Sequence, residues 1–366
     1  MADHLIRTGS FVRIRKIIEF PIKITVRSTH ASVDQCPRSY TVLWCQLFEF
    51  GKSGWRGNAR LPTARTKRKS SSYTRHDIRE AISTIVLGYG QGSGPHYQPW
   101  LQIRRKNPSP NSNQVVTTLA PLGRVGHFFS RGEYHTALLL LWLGVKDLRE
   151  QYPIWPTAHP HPLDSNEYSG TRPWSRGLLA IADEAGIDHG CEIGSRQPYV
   201  ATIDIAATIE VDRQEKLLML SSKPITNPDD DVKWRTLERL ELERRYAGEI
   251  GAAYRVSTSA LIPTFMAGYL EWWMDAACLP DSALVGRAPD FSDIVMAQSS
   301  ESVSDAVQAA ASRLRLDLDS AWLLFQHCCW TQAIDIDPTK PLLVSYPIKK
   351  GGRALRTALQ KEIFLS

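Results

Sequence analysis

An aspartate and a lysine lie on two neighbouring segments of the chain that have the composition of β-strands. Both segments are rich in β-branched and apolar residues, and the polar turn between them is centred between Asp212 and Arg213. In a hairpin closed by that turn, Asp204 lies opposite Ser221. Lys223 is two residues further along and projects from the same face as Ser221, because strand side chains alternate. The sequence therefore predicts an acid and a lysine on one face of a sheet.

Two glutamates on predicted helices could complete such a site. Glu133 lies in a predicted helix over residues 130–143, on a face of alanine and leucine where a carboxylate is costly unless it has a partner. Glu243 lies at the edge of the apolar stripe of a second predicted helix, residues 232–249. Carboxylates and water suit Mg²⁺. With the hairpin residues they indicate a divalent-metal site, whose lysine would position or help to deprotonate the attacking water and stabilise phosphate charge.

These residues also have a purely structural interpretation. A lone inward-facing carboxylate is more often a hydrogen-bonded acid of the core than a metal ligand. Glu241 and Glu243 could instead pair with Arg244, Arg245 and neighbouring arginines on a solvated helix face. An aspartate followed 19 residues later by a lysine is a weak pattern by itself. Composition and spacing alone therefore leave both interpretations open.

The elements that would hold these residues form one α/β unit. From residue 71 to 258 the patterns run helix, strand, long insertion (residues 157–196), strand, hairpin, strand, helix and strand, which predicts a mixed sheet flanked by helices. Helical patterns dominate residues 259–366 and predict a small, α-rich second domain. Residues 1–70 are a basic extension that we expect to be poorly ordered; the alternative is an arm that grips phosphates.

The basic charge is confined to the start of the chain. Residues 1–75 contain 15 Lys and Arg against 4 Asp and Glu, whereas the remaining 291 residues contain 29 against 34. The formal net charge of +6 therefore does not describe the folded body. If this body meets DNA, local patches or partner proteins must supply much of the attraction.

Cysteine usage and hydropathy indicate a cytoplasmic protein. The six cysteines are irregularly spaced and include no C-x-x-C pair, so we expect reduced thiols and no structural zinc site. No window approaches the roughly 20 apolar residues of a membrane span, and no secretory signal is evident.

Two further motifs have simpler interpretations than their residue types suggest. The glycines of Gly88–Gly94 lack the flanking elements of a phosphate-binding loop, so we predict a turn that leads into a strand over Tyr97–Arg104. His159 and His161 are flanked by prolines, and we predict an ordinary surface turn rather than a metal site.

Several segments resemble the TnsA family in order and in local sequence. They are Tyr97–Leu101, Gly123–Glu133, Leu148–Pro153, and Lys223-Pro224 followed by Arg235–Tyr246. The resemblance covers roughly residues 70–258 well and residues 259–366 only in general character.

The resemblance implies a specific activity. TnsA is the restriction-endonuclease-like subunit of bacterial heteromeric transposases and cuts the 5′ ends of the element, while the DDE transposase TnsB cuts and joins the 3′ ends. Carried onto this sequence, the catalytic acids are Glu133 and Asp204, the lysine is Lys223, and a further acid matches Glu243. It also implies Mg²⁺ with Mn²⁺ as a substitute, a winged-helix-like C-terminal domain, and transposon-end DNA, a TnsB-like transposase and a TnsC-like ATPase regulator as partners.

One residue departs from the family pattern. Ser221 stands two residues before the lysine, where this class of nuclease has Glu, Asp or Gln, and a hydroxyl is a poorer metal ligand than a carboxylate. Either the Ser221 backbone carbonyl and water fill the gap, or metal binding is weaker. Two alternatives therefore stay open: a catalytically weakened assembly subunit that bridges the transposase and the ATPase, and a stand-alone restriction-like defence nuclease.

Overall fold

The computed structural model describes most of the chain after residue 86. The described ranges are 87–104, 113–164, 172–192, 197–223, 232–258 and 262–365. The basic extension predicted over residues 1–70 lies outside them, so its expected disorder stays a prediction.

The described elements follow the order expected from the sequence. The strands are β1 (Val115–Leu119), β2 (Arg124–Phe128), β3 (Asp147–Ile154), β4 (Ala201–Val211), β5 (Gln214–Lys223) and β6 (Ala253–Thr258). The helices are α1 (Arg131–Leu143), α2 (Leu178–Ala185), α3 (Trp234–Glu249), α4 (Thr264–Met274), α5 (Ser282–Ala297), α6 (Val303–Leu314), α7 (Leu318–Trp330) and α8 (Gly352–Leu365).

A four-stranded mixed sheet forms the centre of the fold. Its strand order is β3-β4-β5-β6, with antiparallel pairs except between β5 and β6. That last pair is parallel because α3 crosses from one strand to the next. Helix α1 packs on one face, and α2 and α3 pack on the other. The predicted α/β fold with a mixed sheet flanked by helices is confirmed, and it is compatible with the restriction-endonuclease-like fold.

The β4–β5 hairpin has the register predicted from its turn. Asp212 and Arg213 form a two-residue turn with φ values of 53° and 63°, the left-handed conformations that suit a tight hairpin. Val211 therefore pairs with Gln214, and the ladder continues in the same register up the hairpin.

Helix α1 is the most buried of the helices that flank the sheet. Ser130 caps its beginning by accepting a hydrogen bond from the Glu133 N–H, and Gly144 ends it with a φ of 88°. Nearly all of its apolar side chains are buried, including Trp142 with no exposed surface. The predicted bounds of this helix are thus close to the observed ones, and the burial of its central and C-terminal turns holds it against the sheet.

The C-terminal region is helical and packs directly on α1 and the sheet. Its helices share one buried cluster with α1 and one face of the sheet. Gln360 on α8 donates a hydrogen bond of 2.7 Å to the carbonyl of Leu143. Within residues 262–365 no segment is a strand, so the expected helical character holds without a β-wing among the described residues. The division into domains at residue 258 stays a prediction. No helix in the described ranges is long and apolar enough to cross a membrane.

The strand predicted over Tyr97–Arg104 is wrong. This segment follows a short 3-10 turn and runs beside the edge strand β3 through isolated contacts, such as the hydrogen bond from the Trp100 N–H to the carbonyl of Gln151 (3.3 Å). Pro99 has no N–H to give to a ladder, so continuous pairing cannot form there.

The surface turn predicted at His159 and His161 is also wrong. Both side chains are buried. His159 Nε2 lies 3.0 Å from the Tyr246 hydroxyl, and His161 Nε2 lies 2.9 Å from the carbonyl of Ile250. The two imidazoles therefore connect the insertion to α3 and to the residue that follows it, because each ring forms a hydrogen bond with a polar group there.

Candidate active site

The candidate site lies where strands β4 and β5 separate. Their ladder ends at the pair Ile205 and Leu220. Beyond that pair, β4 continues along β3 as far as Ala201, and β5 continues along β6 as far as Lys223. Asp204 is the first β4 residue past the ladder, so its carboxylate can reach between the diverging strands.

Asp204 and Lys223 meet in this gap, as the predicted register requires. Asp204 Oδ2 accepts hydrogen bonds from the Ser222 N–H (2.7 Å) and from Lys223 Nζ (3.1 Å). Burial by itself lowers the pKa of Lys223, but the negative charges of Asp204, Glu243 and Glu133 outweigh it and leave that pKa raised. The lysine is therefore an ammonium ion at neutral pH, suited to holding negative charge rather than to accepting a proton.

Glu133 and Ser130 cap the start of α1 in a variant of the capping box, in which the Glu133 carboxylate accepts from the N–H of Phe129, the residue before the cap. Its Oε2 accepts from the Phe129 N–H (2.9 Å), its Oε1 accepts from the Ser130 hydroxyl (3.1 Å), and its own N–H donates to the Ser130 oxygen (3.2 Å). These contacts give Glu133 a structural role and also fix the direction of its carboxylate. The structural interpretation and the ligand interpretation of this residue are thus compatible.

The electrostatics of Glu133 favour a bound cation. Burial, followed by the nearby charge of Asp204, raises the pKa of Glu133 to about 7. A divalent cation between the two carboxylates would relieve this repulsion. No group of three or more His, Cys, Asp or Glu side chains in the described ranges is arranged to hold a metal ion. Two carboxylates supplemented by water are nevertheless a donor set that Mg²⁺ accepts, so the residues fit that ion.

Glu243 approaches the same region from helix α3, on the side of Ser221. Its Oε2 accepts hydrogen bonds from the Ser221 hydroxyl and from the Tyr254 hydroxyl (2.8 Å). Burial raises the pKa of Glu243, against the opposing charge of Lys223. The Ser221 hydroxyl is engaged with this carboxylate, and any contribution of Ser221 to a metal through its backbone stays a prediction.

The arginine pairs anticipated on α3 form at Glu241 and not at Glu243, although Glu241 is buried and not on a solvated face. Glu241 accepts from Arg244 and Arg245 at 2.8 and 2.7 Å. Glu243, two residues further, faces the sheet and contacts Ser221 and Tyr254 instead. The two acids therefore differ in their partners: the buried Glu241 pairs with two partly exposed arginines, and Glu243 lies near Lys223.

The sequence interpretation missed Gln151. This β3 residue is buried and donates from Nε2 to Glu133 Oε2 at a distance of 3.1 Å. It lies in the Leu148–Pro153 segment that resembles the TnsA family, and that position was the available signal. Gly132 was missed as well: an added Cβ there would lie 2.9 Å from the Ser222 hydroxyl, so α1 approaches the end of β5 closely.

Comparison with known proteins supports one relationship. No protein-family model matches the chain. The chain is 30% identical over 204 residues to the Tn7 transposition protein TnsA of Escherichia coli, and the aligned stretch covers 56% of this chain and 64% of that protein. The chain thus spans less than two thirds of the length of this relative. The resemblance to the TnsA family that the motifs indicate is confirmed.

Proposed function

We propose that this relative of TnsA is the endonuclease subunit of a transposase and hydrolyses one phosphodiester at each 5′ end of a transposon. The observation that carries the proposal is the convergence of Glu133, Asp204 and Lys223 at the point where β4 and β5 separate. The relative is a transposition protein, which supports DNA as the substrate.

The proposed metal is Mg²⁺, with Mn²⁺ as a substitute, held by Glu133 and Asp204. When bound, such an ion lowers the pKa of a water ligand and neutralises charge on the scissile phosphate. The geometry supports this assignment because two largely buried carboxylates lie close enough for the charge of one to raise the pKa of the other. Glu243 would serve as the further acid, acting from behind Lys223.

The protein side chains would orient the reaction and stabilise charge. Lys223 Nζ carries a proton and can donate to a non-bridging phosphate oxygen as negative charge develops there. Asp204 and the Ser222 carbonyl hold this ammonium at 3.1 Å each, so it is oriented before substrate arrives. Hydrolysis with this arrangement would leave a 5′-phosphate and a 3′-hydroxyl.

Partners are part of the proposal because the body of the protein is acidic. Outside residues 1–75 the chain carries 29 Lys and Arg against 34 Asp and Glu. A nuclease that acts alone usually needs a basic groove to attract phosphates. We therefore assign transposon-end DNA, a TnsB-like transposase and a TnsC-like ATPase regulator as partners, and a stand-alone defence nuclease becomes the less favoured reading.

Ser221 supports a second candidate function, an assembly subunit with weakened catalysis. Its hydroxyl contacts Glu243 instead of offering a carboxylate to the metal. Under this alternative the protein would bridge the transposase and the ATPase on DNA without cutting.

The test is strand-specific cleavage of labelled transposon-end DNA in Mg²⁺ with the cognate transposase and ATPase. We expect 5′-end cutting by the wild type and none by Asp204→Ala or Lys223→Ala. Glu210→Gln is the matched control, because Glu210 lies on the same strand and is exposed. Cutting of the 3′ ends without any 5′ cutting by the wild type would favour the assembly subunit, and 5′ cutting without partners would favour the defence nuclease.

A further inference from the structure

Gln151 has a backbone conformation that glutamine rarely adopts. Its φ is 48°, and it lies in β3 between two residues that pair regularly with β4, Glu150 with Ile205 and Tyr152 with Ile203. The other non-glycine residues with positive φ in the described ranges lie in turns or at helix ends. Such a conformation costs about 1–3 kcal/mol and persists only where the surroundings over-determine it.

The positive φ of Gln151 directs its side chain toward Thr202 and Glu133. The pairs on either side place Gln151 across from Asp204, although these two residues do not themselves pair. The Gln151 amide bridges two residues: Oε1 accepts from the Thr202 hydroxyl at 3.0 Å, and Nε2 donates to Glu133 Oε2 at 3.1 Å. Because Gln151 Oε1 accepts from the Thr202 hydroxyl, the amide nitrogen faces Glu133 Oε2, which also accepts from the Phe129 N–H.

We infer that Gln151 is a positioning residue of the proposed nuclease site, which orients the Glu133 carboxylate toward a divalent cation. Glu133 Oε2 receives two N–H donors, from Phe129 and from Gln151, and is thereby turned away from a ligand role. Oε1 is the oxygen left to face the cation, since its hydrogen bond is to the Ser130 hydroxyl. Hydrogen bonds of this kind fix the geometry of metal-binding carboxylates.

The inference rests on the proposed function, because it assigns Gln151 a role at the same site. A competing explanation is that the amide merely satisfies a buried capping acid and that the positive φ of Gln151 serves the hydrogen bond between its carbonyl and the Trp100 N–H. Two substitutions separate these roles. Gln151→Asn keeps the amide and adopts positive φ more readily, but it is one methylene too short to span Thr202 and Glu133. Thr202→Val removes the anchor of the amide and leaves Gln151 in place.

The experiment is a calorimetric titration of Mn²⁺ into the full chain, with urea unfolding of each variant in EDTA. We expect Gln151→Asn to weaken Mn²⁺ binding by about ten- to a hundredfold and to unfold at nearly the wild-type urea concentration. Thr202→Val should weaken binding by a smaller factor. In the reconstituted cleavage reaction, a higher Mn²⁺ concentration should rescue Gln151→Asn and should not rescue Lys223→Ala.

Glu133→Gln separates failure of this inference from failure of the proposed function. If Glu133→Gln binds Mn²⁺ as the wild type does, the metal site itself is refuted. If Glu133→Gln loses binding while Gln151→Asn and Thr202→Val keep wild-type affinity, the role of Gln151 is refuted and the proposed function stands. The positioning role would also be refuted if Gln151→Asn and Thr202→Val lost Mn²⁺ binding only to the extent that each variant is unfolded.

Discussion

Replacing Glu133 with glutamine should make the stability of the protein less dependent on pH between about 4.5 and 7. Burial and the charge of Asp204 raise the pKa of Glu133 from 4.5 to about 7 in the folded protein. Below pH 4.5 the carboxyl is protonated in both the folded and the unfolded chain. As the pH rises, the unfolded chain ionises first, so the stability contributed by this proton is lost progressively until about pH 7.

The size of the effect follows from the two pKa values. The interval between 4.5 and about 7 corresponds to about 3 kcal/mol, at roughly 1.4 kcal/mol per pH unit. The unfolding free energy of Glu133→Gln, relative to that of the wild type, should therefore rise by about this amount across the interval. Saturating Mg²⁺ should remove the wild-type loss, because a bound cation favours the ionised carboxylate.

Urea unfolding in EDTA at about pH 4.5, 6 and 8 measures this difference. Glu210→Gln is the control, since it removes an exposed carboxylate from the same sheet and should follow the wild type at each pH. The reasoning would be refuted by a stability difference between Glu133→Gln and the wild type that is constant across the three pH values. It would then follow that Glu133 titrates as an ordinary solvated carboxylate.

Three further substitutions test contacts that hold the site in place, each by urea unfolding. Arg124→Ala should lower the unfolding free energy by about 3–5 kcal/mol, because the fully buried Glu150 loses the guanidinium that binds both of its oxygens. A loss below about 1 kcal/mol would contradict this prediction. Tyr254→Phe should lower it by about 1–3 kcal/mol at about pH 8, since Glu243 loses a hydrogen-bond donor, and an unchanged midpoint would argue against a charged Glu243. Gly144→Ala should cost about 1 kcal/mol because its φ is 88°, and a stabilised variant would disprove the role of this residue as the end of α1.

The register of the β4–β5 hairpin could be predicted from the sequence because the two strands and the turn between them allow few other pairings. Two long strand-like segments joined by a two-residue turn leave little freedom, since the left-handed conformations of Asp212 and Arg213 pair Val211 with Gln214 and so set the register of both strands. The register therefore followed from the turn at Asp212 and Arg213, and with it the meeting of Asp204 and Lys223.

The features that were missed depend on contacts between distant parts of the chain. The positive φ of Gln151 is stabilised by Thr202, Glu133 and the Trp100 N–H, which local sequence preferences do not reveal. The same holds for His159, which is buried because its ring meets Tyr246, 87 residues further along the chain. The prolines that flank His159 indicate a turn, but nothing in the local sequence identifies Tyr246 as the partner of its ring.

Ser221 departs from the TnsA family pattern, and the structure shows what its hydroxyl contacts. The sequence identified a hydroxyl where a carboxylate is usual in this class of nuclease. In the structure that hydroxyl donates to Glu243, so an acid from α3 occupies the neighbourhood that an acid on β5 would otherwise fill.

The central claim is that Glu133, Asp204 and Lys223 act as one hydrolytic centre, and single-turnover rates of 5′-strand cleavage test it most directly. The rates would be compared for Asp204→Asn, Lys223→Met and the double variant in the complete reaction with Mg²⁺. The account predicts that each single substitution slows cleavage by at least about a hundredfold and that the double variant is little slower than either, because residues that act as a unit are not additive. Near-wild-type cleavage by either single variant, or losses that multiply in the double variant, would contradict it.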